Sequence, residues 1–210
     1  MPKINKKIKK PNSKGSKINE QKLLERLVTL HISQNNTTEL ENLFSIENNV
    51  EILLQNRFFD PFVIAIKANQ LHFLQYLNKT SFHLKTNDGE HTYCRALIEA
   101  IKCSNEEAID QLINNYNIDV NSSNYKHVPL QIAYNIYSCE KEKSLVITDY
   151  DTSNLNKSYK VFRKLLINKA DPNVYNSKGY RLIHQIVIDK DIEILEMIIE
   201  ICGQSNYLIF

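Results

Sequence analysis

Glycine and proline are scarce in this sequence. Only 4 of its 210 residues are glycine and 5 are proline, whereas the two together make up roughly 12% of an average protein. Because turn-forming residues are so few, a β-sandwich is disfavoured and we expect helices to dominate. The four glycines also lie far apart, which excludes the P-loop, the Rossmann fingerprint and other motifs that cradle phosphate with neighbouring glycines.

Cysteine and histidine are too scattered for the common metal and catalytic sites. The four cysteines form no Cys-x-x-Cys pair, which is typical of reduced thiols. His91 and Cys94 have a spacing that two zinc ligands could use, but no second pair accompanies them, and a structural zinc site needs four ligands. No nucleophile, acid and base can be grouped by sequence. We therefore predict no catalysis, no cofactor and no bound metal.

Long apolar runs are missing as well. Residues 1–19 contain seven lysines and no acid, and no apolar stretch of a secretory signal follows them. No segment approaches the roughly 20 apolar residues that cross a bilayer. We interpret residues 1–19 as a disordered basic tail, because it holds too few apolar residues to offset the entropy of ordering. The tail could be solubilising, a nuclear-localisation-like patch or a contact to acidic surfaces, although its lack of aromatic residues disfavours nucleic acid as a partner.

The chain does contain an internal repeat. Segments that begin at Pro61, Ala96 and Leu182 align without a gap, a fourth copy begins at Pro129, and a weaker one begins at Leu27. The starts are 34, 35, 33 and 53 residues apart, so the last interval contains an insertion, at about residues 139–158. Within each copy, an apolar stretch, a polar break and a second stretch with apolar residues at i, i+3 and i+4 predict a helix-turn-helix unit.

These repeats resemble the ankyrin family. Residues 169–173 (KADPN) look like the family's Gly-Ala-Asp-x-Asn signature, residues 118–121 (IDVN) look like a second copy, and residues 60–62 (DPF) stand where the family has Thr-Pro-Leu. The motif histidine survives only as His184 and the turn glycine only as Gly179. The resemblance implies an all-α, ankyrin-type helical solenoid of about five stacked helix-turn-helix repeats, with His184 tying its turn to the next repeat.

The expected domain organisation has three parts. The disordered basic tail over residues 1–19 precedes the solenoid over residues 20–203, and residues 204–210 form a C-terminal capping segment. We expect such a cap because the final helix is apolar on nearly every face, whereas a terminal repeat needs a polar outer face. Self-association through the C-terminal repeat, or a covering partner, is the alternative. The insertion could be a loop, a strip packed on its own unit or a specific contact.

The resemblance also implies a function. Ankyrin-type repeats grip partner proteins with the loop tips and first helices of their concave side, so we expect a protein-binding module for an unknown protein partner. An alternative is a secreted effector of an intracellular bacterium with an AT-rich genome. Such an effector would act on a host protein and could reach the nucleus through its basic tail. The expected location is the cytoplasm, or a host cell after translocation. The partner-binding positions implied by the resemblance are Asn56, Arg57, Phe59, Lys67, His91, Thr92, Cys94, Lys102, Asn124, Tyr125, His127, Asn135, Ser177, Lys178, Tyr180 and Asp189.

Overall fold

The protein is all-α, as the sequence predicted. The computed structural model describes residues 13–56, 58–79, 89–116, 118–121, 128–175 and 179–203. Within these ranges it contains eleven helices, and its only β-type pairing is an isolated bridge between Tyr175 and Arg181. The helices are α1 (Ser13–Ser33), α2 (Thr37–Ser45), α3 (Glu47–Leu54), α4 (Pro61–Lys67), α5 (His72–Lys79), α6 (Gly89–Lys102), α7 (Glu106–Tyr116), α8 (Pro129–Val146), α9 (Ser153–Ile167), α10 (Leu182–Ile188) and α11 (Ile192–Gly203).

The helices form pairs that contact one another in chain order. Helix α4 packs on α5, α6 on α7, α8 on α9 and α10 on α11, while α1 packs on both α2 and α3. The first helices of successive pairs also touch, from α1 to α4, from α4 to α6 and from α6 to α8. The second helices also touch, α7 with α9 and α9 with α11. One core of buried apolar side chains therefore runs along the whole series, from Leu24 to Cys202.

A left-handed turn joins the two helices in four of the five pairs. Asn35, Asn69, Ser104 and Lys190 all have positive φ, at 58°, 53°, 48° and 54°. In each turn this residue donates its amide to the carbonyl three residues earlier, and the next residue donates to the carbonyl five residues earlier. This pair of hydrogen bonds is the Schellman motif, which satisfies the last carbonyls of a helix. The polar breaks in the sequence are therefore turns of one geometry.

The residue after the left-handed position caps the second helix. Asn36, Asn105 and Asp191 each accept, through a side-chain oxygen, the amide three residues further on. Short polar side chains suit this position because they satisfy N–H groups that have no partner within the helix. Asn105 also donates from Nδ2 to Oδ1 of Asn69, at 2.8 Å. This bond links the turns of two neighbouring pairs directly.

The two Asp-x-Asn segments have matching geometry. Asp119 accepts the amide of Asn121, and Asp171 accepts the amide of Asn173, both at 2.8 Å. Asn121 then reaches the next segment: its Nδ2 donates to the carbonyl of Lys169 at 3.0 Å, and its Oδ1 accepts the amide of Asp171 at 2.8 Å. The loops that follow α7 and α9 are thus held together by a pair of hydrogen bonds from one asparagine.

Three alanines lie where the first helices meet. Ala65, Ala100 and Ala133 belong to α4, α6 and α8, and their exposed fractions are 0%, 0% and 1%. Because an alanine side chain is small, it lets neighbouring helix backbones approach closely. A larger side chain at these positions would have no space in a core packed at native density.

One expected boundary was wrong, the end of the N-terminal tail at residue 19. Helix α1 begins at Ser13, so residues 13–19 belong to a helix, while residues 1–12 lie outside the described residues. Lysine is a good helix former, so a helix that packs through Leu24 and Val28 can extend back through its basic start. The insertion at 139–158 mainly lengthens α8 and α9, and only residues 147–152 connect them. It contains neither glycine nor proline, the two residues that disfavour a helix most.

The expected role of His184 stays a prediction. Its side chain is exposed, and residues 176–178 of the adjacent turn lie outside the described residues. The expected cap over residues 204–210 lies outside the described residues. The surface that it was expected to cover does expose apolar side chains, since Val187, Ile188, Ile192 and Ile199 are between 51% and 66% exposed.

We predict that Ala100→Leu lowers the free energy of unfolding by about 1 to 3 kcal/mol, because overpacking a close helix contact forces the backbones apart. Urea unfolding followed by circular dichroism measures the change. Lys102→Leu, which places the same side chain at an exposed position of the same helix, should stay within about 0.5 kcal/mol of the wild type. Equal unfolding midpoints for Ala100→Leu and the wild type would contradict the close contact.

We also predict that Lys190→Gly raises the free energy of unfolding by about 0.5 to 1 kcal/mol. A left-handed backbone costs roughly 1 to 2 kcal/mol for a residue with a Cβ, and the greater freedom of unfolded glycine offsets part of that gain. The matched control is Lys160→Gly in the interior of α9, which should destabilise by about 1 kcal/mol. If both substitutions destabilised equally, the turn at Lys190 would not be left-handed.

Candidate partner-binding groove

A pocket of about 450 Å³ lies between α4 and α6. One face of each helix supplies its walls, because the lining residues recur three, four or seven positions apart, as neighbours on a helix face do. The segment before α4 contributes two phenylalanines. The residues that line this pocket are Phe58, Phe59, Asp60, Val63, Ile64, Lys67, Cys94, Arg95, Ile98, Glu99 and Lys102.

Apolar side chains form the middle of the pocket. Cys94 and Ile98 are buried, at 7% and 9% exposure, and Val63 and Ile64 are half-buried. Phe58 is 71% exposed, so it presents an aromatic ring to solvent at the same site. An apolar cavity with a few charged groups around it is the usual composition of a binding site.

Two lysines share one carboxylate at the end of the pocket where α4 and α6 terminate. Lys67 Nζ lies 3.3 Å from Glu99 Oε1, and Lys102 Nζ lies 3.9 Å from Glu99 Oε2. The lysine side chains are 60% and 52% exposed, so these ion pairs add little stability. Since two cations face one anion, this end of the pocket carries local positive charge.

The thiol next to the lysines is not activated. Burial raises the pKa of Cys103 above its ordinary value, and the charge of Glu99 adds to the effect, while Lys67 and Lys102 oppose it. The thiolate is the nucleophilic form of cysteine. Cys103 is therefore protonated at neutral pH and offers no nucleophile.

Asp60 starts α4 and is the most deeply buried charged residue of the pocket, with 5% of its surface exposed. Its Oδ1 accepts the amides of Phe62 and Val63, at 3.0 and 3.3 Å. Its Oδ2 is buried and has no hydrogen-bond partner among the described residues. Burial raises the pKa of Asp60 to about 6, although its bonds to the two amides and the charge of Arg95 favour the ionised form.

A second pocket continues this surface across α1. It lies between α1 and α4 and shares Phe59 and Ile64 with the first pocket. The other residues that line it are Glu25, Arg26, Thr29, Leu30 and Ser33. We call the surface formed by the residues of the two pockets the first-helix groove, because it runs over the first helices α1, α4 and α6.

Four of the predicted binding residues meet in the first-helix groove. Phe59, Lys67, Cys94 and Lys102 all line the pocket between α4 and α6. Asn56 lies beside the groove, where its Nδ2 donates to Glu25 Oε1 at 2.8 Å. The repeat alignment thus brought together side chains from two units that are separated by about 35 residues in sequence.

Three other predicted residues lie elsewhere. Asn135 accepts a hydrogen bond from Gln131 on the same helix, α8, and Tyr180 is 52% exposed before α10. Asp189 holds two units together: its Oδ2 accepts the hydroxyl of Tyr134 at 2.8 Å, so this carboxylate is occupied. None of the three lines either pocket of the groove.

The remaining predicted residues cannot be placed in the groove. His91 and Thr92 belong to α6 by backbone, but their side chains lie outside the description. The predicted positions outside the described residues are Arg57, Asn124, Tyr125, His127, Ser177 and Lys178.

Sequence reasoning missed the charged residues that give the pocket its chemistry. Arg95 and Glu99 lie on the same face of α6 as Lys102, and their spacing of about one helical turn could have revealed them. Asp60 was recognised only as a substitute for the family's threonine. Its carboxylate was the overlooked signal, because a threonine has one side-chain oxygen for the cap and an aspartate has a second one to spare.

No family model, curated protein or solved structure matches this chain. Among the described residues, no group of three or more histidine, cysteine or acidic side chains could hold a metal ion. No described helix is both long enough and apolar enough to cross a membrane.

We predict that Asp60→Asn removes a destabilisation of the wild-type protein that grows as the pH rises. The folded pKa of Asp60, about 6, exceeds its ordinary value of 3.8, so its contribution to stability is fully present below pH 3.8 and is lost as the pH rises through 6. The loss amounts to about 3 kcal/mol. Asparagine keeps the capping oxygen and the shape of the side chain.

Urea unfolding of both proteins at pH 4, 5, 6 and 7 measures this effect. The free energy of unfolding of Asp60→Asn should rise relative to the wild type as the pH increases. Parallel stability profiles for the two proteins would show that Asp60 ionises with its ordinary pKa.

Proposed function

We propose that the protein is a non-catalytic, ankyrin-type solenoid that binds a partner protein through its first-helix groove. Several features support the ankyrin-type scaffold. Left-handed turns recur at residues 35, 69 and 104, the helix pairs contact each other in chain order, and Asn121 bridges the two Asp-x-Asn loops. Such units cannot bury their apolar faces alone and become stable by stacking.

The pocket between α4 and α6 is the observation that carries the binding function. It combines an apolar middle, an exposed aromatic ring at Phe58, and the local positive charge of Lys67 and Lys102. Interfaces between proteins take most of their affinity from a few anchors that enter such desolvated pockets. The second pocket continues this surface across α1.

The same side chains argue against catalysis at this site. Asp60 is the titratable group with a perturbed pKa in the pocket, which alone would be a sign of an active site. However, its Oδ1 is engaged at the start of α4 and its Oδ2 is covered from solvent. The neighbouring thiol of Cys103 is protonated, so it offers no activated nucleophile.

We predict that reversing the charge of the groove lysines abolishes capture of the partner. In an affinity purification from a cell lysate, the wild-type protein is compared with the double variant Lys67→Glu/Lys102→Glu. The matched control is Lys157→Glu/Lys160→Glu, which alters the net charge equally at exposed positions of α9. Proteins that bind the wild type and the control, but not the groove variant, are groove-dependent partners.

The four substituted lysines are all exposed, so both variants should fold, and circular dichroism checks that they do. If every captured protein bound the groove variant as strongly as the wild type, the first-helix groove would not be the binding surface.

A further inference from the structure

The connection between α8 and α9 presents three consecutive apolar side chains to solvent. Leu145, Val146 and Ile147 are 80%, 83% and 51% exposed, and the first two are the most exposed of the large apolar side chains that the structure describes. A run of three exposed apolar residues is unfavourable in water unless it serves an interaction. We call residues 142–149 the insertion tip.

Polar contacts tie the insertion tip to α8. Glu140 on this helix accepts hydrogen bonds from Lys143 Nζ, at 2.6 Å, and from the hydroxyl of Tyr150 in the connection. The amide of Ile147 donates to the carbonyl of Lys143 at 2.9 Å. Because these bonds hold both sides of the tip, a protein that binds it loses less free energy in ordering it.

Acidic side chains border the apolar run. Glu142 and Asp149 are exposed, and among the described residues neither belongs to an ion pair. The lysines nearest in sequence, Lys141 and Lys143, are paired with other carboxylates. The insertion tip therefore combines an apolar surface with two negative charges that remain available to a partner.

The first-helix groove has the complementary chemistry. Its pocket between α4 and α6 has an apolar middle, which includes Val63 and Ile98, and it has Lys67 and Lys102 at one end. The volume of this pocket, about 450 Å³, lies in the range of pockets that receive a ligand. The two lysines lie on an acidic background, because residues 20–210 contain 24 acids and 19 bases.

We propose that the partner bound in the first-helix groove is a second copy of this chain, which inserts its insertion tip. The apolar run of one copy enters the middle of the pocket in the other copy, and the acidic side chains of the tip approach Lys67 and Lys102. This inference rests on the proposed function and names the partner. Because the tip and the groove are different surfaces, the contact is heterologous.

The apolar and the charged parts of this contact have different effects. Burial of the exposed apolar side chains supplies the affinity, whereas charge pairs at an exposed rim mainly set the orientation and the rate of association. Lys67 and Lys102 are 60% and 52% exposed, so salt should screen their attraction to the tip. A contact as small as one tip in one pocket gives a weak, concentration-dependent association.

Sedimentation velocity of the full-length protein tests the proposal. The wild type should form dimers or longer chains as its concentration rises, and salt should weaken them. Leu145→Ser/Val146→Ser and Lys67→Glu/Lys102→Glu should each weaken association about tenfold or more, because each removes the anchors of one surface. The matched control is Val187→Ser, which changes another exposed valine, 56% exposed on α10, and should leave association unchanged.

Mixing the two double variants tests whether the tip of one copy binds the groove of another. The tip variant keeps a normal groove and the lysine variant keeps a normal tip, so the two should form one-to-one dimers together although each is monomeric alone. Adding Glu142→Lys/Asp149→Lys to the lysine variant reverses both charges and should restore association. Every substituted residue is exposed, and circular dichroism checks that each variant folds.

The proposal would be overturned by a wild type that stays monomeric at every concentration, by a mixture that forms no dimer, or by association that Val187→Ser removes. The last result would place the interface on the C-terminal unit.

The two proposals can fail separately. If the wild type stays monomeric while capture from the lysate depends on Lys67 and Lys102, the groove binds a different protein and only this inference fails. If the copies associate through tip and groove while no other protein is captured, the second copy is the partner. If neither association nor capture depends on the two lysines, both proposals fail.

Discussion

Close approach of the first helices is the constraint on which the rest of the structure depends. Each helix pair is too small to bury its own apolar faces, so its stability comes from contact with its neighbours. Ala65 and Ala100 lie at these contacts, and their carbonyls also accept the longer hydrogen bond of the left-handed turns at Asn69 and Ser104. In these two units, one position therefore lies both at the contact between helices and at the place where the first helix ends.

The groove is a consequence of this packing. When α4 and α6 are held together through small residues, side chains two residues before each alanine, Val63 and Ile98, line the furrow between the helices. The N-cap of α4 lies at the same furrow, because Asp60 directly precedes Pro61 at the first position of the helix. The protein tolerates a buried carboxylate there, although asparagine would satisfy the cap as well. The second carboxylate oxygen, Oδ2, which the cap does not use, distinguishes Asp60 from an ordinary capping residue.

The sequence predicted those features that repeat and missed those that occur once. The helix-turn-helix pattern and the meeting of Lys67 with Lys102 both follow from superposing copies of one unit. The lengthened helices of the insertion and the early start of α1 have no counterpart in other copies, so the repeat pattern could not predict them. The pairing of Lys67 with Glu99 and the unpartnered Oδ2 of Asp60 depend on side-chain positions in three dimensions, which a repeat register does not specify.

Polar contacts from the lengthened α8 add to the attachment of the fifth unit. Its counterpart of the small alanine is the larger Ile186, which is fully buried. Lys141 Nζ lies 2.8 Å from Asp191 Oδ1, and the hydroxyl of Tyr137 donates to Glu193 at 3.3 Å.

These polar contacts lie at the last unit, outside the residues that line the groove. Burial raises the pKa of Tyr137 to about 12, against the opposing hydrogen bond of Lys141, so the phenol remains a donor at neutral pH. The carboxylate of Asp191 is only 5% exposed, and removing one partner of a buried ion pair is costly because the other charge stays buried. The helical part of the insertion, which supplies Lys141, therefore fastens the C-terminal unit, while the alanine contacts that shape the groove lie in the units before it.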